Sequence, residues 1–150
     1  MMLGVMDPQD GLEGSGGWSD QSSKVQAVVS FAGPTDLSLE LPAASSAIVE
    51  AFLGGKLADK QQELRQASPV SYTSAGDAPM LLFQGTSDDI VPCDQAFAMT
   101  TALSKAGVPG RVELLIGAGH GWGQPEVDRT FAVAYAFLDQ YLRPGETETK

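Results

Sequence analysis

Apolar and polar positions along the chain fall into short blocks set off by glycine and proline. Residues 25–33, VQAVVSFAG, form a β-branched run closed by GPTD and read as a buried strand. In SSAIVEAFLGG, Ile48, Ala51 and Phe52 share one helical face, and Gly54 with Gly55 supplies the stop. DKQQELRQASP reads as a second, polar helix that ends before Pro69. Residues 79–86, PMLLFQGT, are another buried strand, and SDDIVP is the loop behind it. A helix follows from Asp94 to Ala106, with Ala96, Met99, Leu103 and Ala106 on one face and Gly107 and Pro109 closing it. RVELLIGAG is a third strand. After HGWGQP a last helix begins near Pro125, its inner face lined by Phe131, Ala134, Leu138 and Leu142, and Pro144 ends it. The first 23 residues, rich in Gly, Ser and Asp, read as loop, and 144–150 as a tail.

Strands that are apolar throughout and separated by helices form parallel sheets, so the fold class is α/β within one domain, 1–150. Right-handed crossovers would join three parallel strands flanked by helices. So small a sheet leaves an edge open, and self-association through that edge is expected.

Composition narrows the function classes. The formal net charge is -10, which argues against nucleic acid and against anionic membrane surfaces. No apolar run has the length of a membrane span. One cysteine, Cys93, and one histidine, His120, exclude an internal disulfide and a cysteine zinc cage. No metal and no cofactor is expected.

Sites in parallel sheets lie at the carboxyl ends of strands. Two such ends carry polar groups: QGTSDDIVP places Asp88 and Asp89 after one strand, and GAGHGW places His120 after the next. A carboxylate that accepts Nδ1–H from a histidine fixes the tautomer and leaves the other nitrogen to act as base and then acid. The alternatives are a turn or cap role for the aspartate and a solvated turn for the histidine.

Several ordered motifs resemble one superfamily. ASPVSYTSAGDAPMLLFQGTSDDIVPCDQA resembles the stretch around the catalytic aspartate of the α/β-hydrolases, most of all the prolyl-oligopeptidase-like esterases with their feruloyl and acetyl-xylan members. VQAVVSFAGPTDL resembles the strand and turn after the nucleophile helix, GAGHGW the histidine loop, and FLDQYL the closing helix. The resemblance runs from about Leu12 to Leu142. It implies Asp88 and His120 as catalytic residues, with Asp89 a turn neighbour. Trp122, two residues from His120, is a candidate to line the substrate cleft, with packing as the alternative. Gln84 departs from the pattern, since relatives usually carry His before that glycine, in what reads as a supporting position.

The G-x-S-x-G nucleophile elbow of that superfamily does not occur in these residues. Ser15, in LEGSGG, has Glu13 two places before it and no preceding strand, and reads as a loop residue. Cys93 lacks an elbow and reads as packed. MMLGVMDPQDGLEG resembles the end of the nucleophile helix and the loop after it. The expectation is therefore the C-terminal part of an α/β-hydrolase domain, with the N-terminal half of the sheet outside this sequence. Its parent would hydrolyse a small carboxylic ester, and the piece alone would be inactive. A fragment of a prolyl-oligopeptidase-type serine peptidase, and a non-catalytic fold fragment that needs a partner, remain open at this point.

Overall fold

A computed structural model describes residues 1–18 and 20–143. The tail 144–150, and with it Pro144, lies outside the described residues.

Three parallel strands form the sheet: β1 (Val28–Phe31), β2 (Met80–Gly85) and β3 (Gly110–Leu115), in the order β1-β2-β3. Val28 lies beside Met80, which lies beside Gly110, and the register continues to Gly85 beside Leu115. Every β2 residue is buried, as expected of a central strand covered on both faces. The helices are α1 (Ala43–Leu53), α2 (Gln61–Gln66), α3 (Cys93–Ala106) and α4 (Glu126–Leu142). The order of elements agrees with the sequence reading; β1 and β2 are shorter at their ends than the apolar runs that announce them, and β3 starts one residue earlier and stops at Leu115.

Alternation along β2 divides the core into two layers. Met80 and Leu82 point to one side, where Ala96, Met99 and Leu103 of α3 meet Val5 and Val108. Leu81 and Phe83 point to the other, against Leu115, Ala134 and Phe137. Each fully buried Leu, Met or Phe contributes about 1.5–3 kcal/mol by leaving water. Gly107 caps α3 in the left-handed conformation, φ 73°, and donates to Leu103 O and Ser104 O.

Three expectations change. The stretch read as loop holds single 3-10 turns at Met2–Gly4 and Pro8–Asp10, and Gly4, Val5 and Met6 are buried. Ala78 N–H donates to Gly4 O at 2.9 Å, so this segment is stitched to the chain entering β2. The apolar face of α1 points outward, with Ile48 66% and Phe52 72% exposed, and Ser45 is the buried residue of that helix. On α4 the buried set is Thr130, Ala134 and Phe137, whereas Phe131 and Leu142 are about half exposed. The rotation has a visible cause: Phe131 leans on Phe31 of β1, centroids 5.6 Å apart, at the edge of the sheet instead of over its centre.

Candidate active site

The loops that leave β2 and β3 run side by side because the strands are neighbours in register. Three hydrogen bonds join them and a fourth closes the turn after β3. Thr86 N–H donates to Leu115 O at 3.0 Å, and Ser87 N–H to Ala118 O at 2.9 Å. Ala118 N–H donates to Leu115 O at 3.2 Å, and Gly117 N–H to the Thr86 hydroxyl at 2.8 Å. The contact is so close that a Cβ on Gly85 would overlap the carbonyl oxygens of Gly119 and Ala118. Glycine at position 85 is thus a steric condition for the histidine loop to lie where it does.

That closeness brings His120 to Asp88. Nδ1 of the imidazole lies 3.0 Å from Asp88 Oδ2. The Asp88 side chain is wholly buried, while the imidazole is 41% exposed. Oδ1 of Asp88 accepts the backbone N–H of Ile90 at 2.9 Å and of Val91 at 2.8 Å. Oδ2 accepts the Gln84 side-chain amide at 3.0 Å as well as the imidazole. Burial pushes the carboxyl pKa up. The N–H groups of Val91 and Ile90, with the bond to His120 and its charge, outweigh burial and hold the group below the ordinary carboxylate range. An ionised carboxylate only accepts, so the proton of the Asp88–His120 bond belongs to Nδ1, and whenever the ring is neutral the lone pair is on Nε2. Nε2 makes no hydrogen bond among the described residues.

Gln84 is 1% exposed and holds the turn from inside. Its amide donates to Val91 O at 2.7 Å as well as to Asp88 Oδ2, tying the two ends of the aspartate turn together. Ser45 of α1 reaches the same turn, its hydroxyl donating to Ile90 O at 2.7 Å. Ile90 C=O and Val91 N–H belong to one peptide plane, so helix α1 and the Asp88 carboxylate grip opposite edges of a single rigid unit. Between this turn and α1 lies an apolar groove of about 120 Å³, lined by Pro34, Leu41, Ile48, Val49, Ile90 and others.

The other sequence candidates fall elsewhere. Asp89 is exposed, next to the turn. Trp122, read as a cleft or a packing residue, is half-buried against the aromatic cluster, 6.0 Å from Phe31 by ring centroids, and its N–H donates to the Thr130 hydroxyl at 3.1 Å. Cys93 opens α3 with Sγ 3.4 Å from Gly85 O. Burial, then the carboxylates of Asp88 and Asp94, push its thiol pKa up, opposite to what a thiolate nucleophile needs. Ser15 is exposed in the N-terminal stretch and makes no hydrogen bond to His120. Sequence reasoning missed Ser45, and it read Gln84 as a departure without its bonds. The signal for Gln84 was a polar residue at an all-apolar strand's end, four residues before the aspartate.

Comparison with known proteins finds a family and a fold. The BD-FAE family model matches residues 1–103, which include Asp88 and stop short of His120. The chain is similar to an esterase from Thermogutta terrifontis solved with propionate bound: 28% identity, TM-score 0.69, 93% of this chain and 50% of that one. The same holds for esterase 2 of that species phosphorylated by paraoxon, at 27% identity and TM-score 0.67, covering 91% and 46%. A non-reducing polyketide synthase, Preu3 of Preussia isomera, is 32% identical over 80 residues, which are 52% of this chain and 3% of that protein. The chain spans about half the length of the solved esterases it matches.

Proposed function

From the premise that the chain belongs to the BD-FAE family, of the α/β-hydrolase esterase type, we propose that Asp88 and His120 are the acid and base of a Ser-His-Asp triad that hydrolyses a small carboxylic ester. The observation that carries the reading is the 3.0 Å contact between His120 Nδ1 and Asp88 Oδ2, on loops from adjacent parallel strands. The serine comes from a G-x-S-x-G segment outside these 150 residues, since the sequence contains no such elbow.

In this mechanism Asp88 holds the proton on Nδ1 and points Nε2 at the serine hydroxyl. Nε2 takes the hydroxyl proton as the oxygen bonds to the ester carbonyl carbon. The buried carboxylate stabilises the imidazolium so formed. The imidazolium then returns that proton to the departing alkoxide, which leaves an acyl-enzyme. A water molecule repeats the cycle, its proton passing through Nε2 to the serine. The groove beside α1 receives a short hydrocarbon part of the ester, as its volume and apolar lining suit such a group.

Two measurements test the reading. Turnover of p-nitrophenyl acetate by the 150-residue chain is expected to equal that of its His120→Ala variant, and a fluorophosphonate is expected to label none of its serines. Labelling mapped to one serine of the chain would overturn the external nucleophile. Combined with the elbow-bearing half of a related esterase, the chain is expected to gain activity, and Asp88→Asn is expected to lower kcat about 10⁴-fold. Full activity in that variant would remove Asp88 from the mechanism.

A further inference from the structure

Among the described residues, β3 is paired on one side only. Which of its backbone groups face outward follows from parity. Pro109 O accepts from Met80 N–H at 3.0 Å, and Leu115 O accepts from Thr86 N–H at 3.0 Å. Groups facing one neighbour alternate along a parallel ladder, so Arg111 and Glu113 also bond toward β2. The N–H and C=O of Gly110, Val112 and Leu114 therefore point away from the sheet, as a template for a further strand.

We propose that this edge pairs with the same edge of a second copy of the chain, antiparallel and centred on Val112, so that one sheet runs through both copies. A twofold axis at Val112 sets Val112 opposite Val112, Gly110 opposite Leu114, and Arg111 opposite Glu113. The outward backbone groups then meet one another as hydrogen-bonded pairs. Arg111 and Glu113 fall at the non-hydrogen-bonded positions, where facing Cα atoms are about 4.5 Å apart and side chains are closest. Symmetry makes that charge pair twice. Register is selected by the same charges: sliding two residues one way puts Arg111 opposite Arg111, and the other way Glu113 opposite Glu113. Size agrees, since the half-exposed Leu114 lies opposite a residue with no side chain, Gly110. Within the chain Glu113 is only loosely engaged, 3.5 Å from Arg111 and 3.6 Å from Arg129, and the Arg111 side chain is 55% exposed. Charge-assisted bonds close to about 2.7–2.9 Å, so both groups are available to a better partner.

Sedimentation velocity of the 150-residue chain over a concentration series, with circular dichroism to confirm folding, tests the proposal. A reversible dimer is expected. Arg111→Glu and Glu113→Arg alone are each expected to weaken it about tenfold or more, by turning two attractive contacts into repulsive ones. The double variant R111E/E113R is expected to restore wild-type association. Val112→Pro removes an outward N–H and leaves the β2 ladder whole, and is expected to abolish the dimer. A chain monomeric at every soluble concentration would overturn the proposal. So would a dimer indifferent to Val112→Pro, which would place the contact on β1, or a double variant no better than the single ones.

Discussion

On one side of β2, Met80 and Leu82 meet Met99 and Leu103 of α3, and none of the four is more than 2% exposed. On the other side, Leu81 and Phe83 are buried as deeply, but the aromatic groups around them are not: Phe31, Phe131 and Tyr135 are all exposed, Phe31 stacked on Phe83 and the other two tilted in series beyond it. The α3 face is finished by residues of this chain. The α4 face is finished only at its centre. That apolar surface lies at the edge away from β3. The Asp88–His120 pair sits where both layers end, at the carboxyl tip of β2: α3 begins just after the Asp88 turn, while Ala118 and Trp122, on either side of His120, pack in the α4 layer.

Substitutions sharpen the contrast. Leu103→Ala, in the closed layer, is expected to cost about 3 kcal/mol, read as a lower urea midpoint at unchanged slope. A cost below about 1 kcal/mol would mean that the α3 face is as loose as the other. Gly85→Ala is expected to cost about 2 kcal/mol by overpacking and to push the histidine loop off β2. Because His120 is the sole histidine, its NMR signals report this alone, and loss of the low-field Nδ1–H resonance is the expected sign. A retained resonance would show that the loops can separate without parting the pair.

Acid gives a third, smaller contrast. The folded pKa of Asp88 is lowered, so its contribution to stability is complete above the ordinary carboxylate value of about 3.9 and is lost as pH falls through the lowered folded value. Between neutral pH and about pH 2, wild type is expected to lose more stability than Asp88→Asn. Parallel pH profiles would contradict the bonding described for that carboxylate. Phe131→Ala, on the open face, is expected to have the least effect, about 1 kcal/mol or less, together with weaker binding of an apolar dye. A loss as large as that of Leu103→Ala would show the α4 face to be closed in solution.

The strands and helices were legible because their periods and glycine or proline stops coincide, and the strand-end rule with the order of Asp88 and His120 pointed to their meeting. Direction was less legible. The spacing of Ile48, Ala51 and Phe52 correctly marks a stripe, but a stripe states only that a face is apolar, not what lies opposite. On α4 the same ambiguity moved the inner face by one position, since Phe131 packs on an edge strand. The 3-10 turn at Met2–Gly4 has too few residues to carry a period. Ser45 escaped notice because its partner is a backbone carbonyl far along the chain, and the supporting position read for Gln84 came without its bonds to Val91 O and Asp88, since such bonds leave no pattern in composition.

The peptide plane between Ile90 and Val91 makes α1 an electrical neighbour of Asp88. A serine O–H that polarises Ile90 C=O also polarises the N–H at the far end of the same amide, and that N–H grips the carboxylate. Helix α1, which turns its apolar stripe to the outside, is thus joined to the buried acid over the width of one amide.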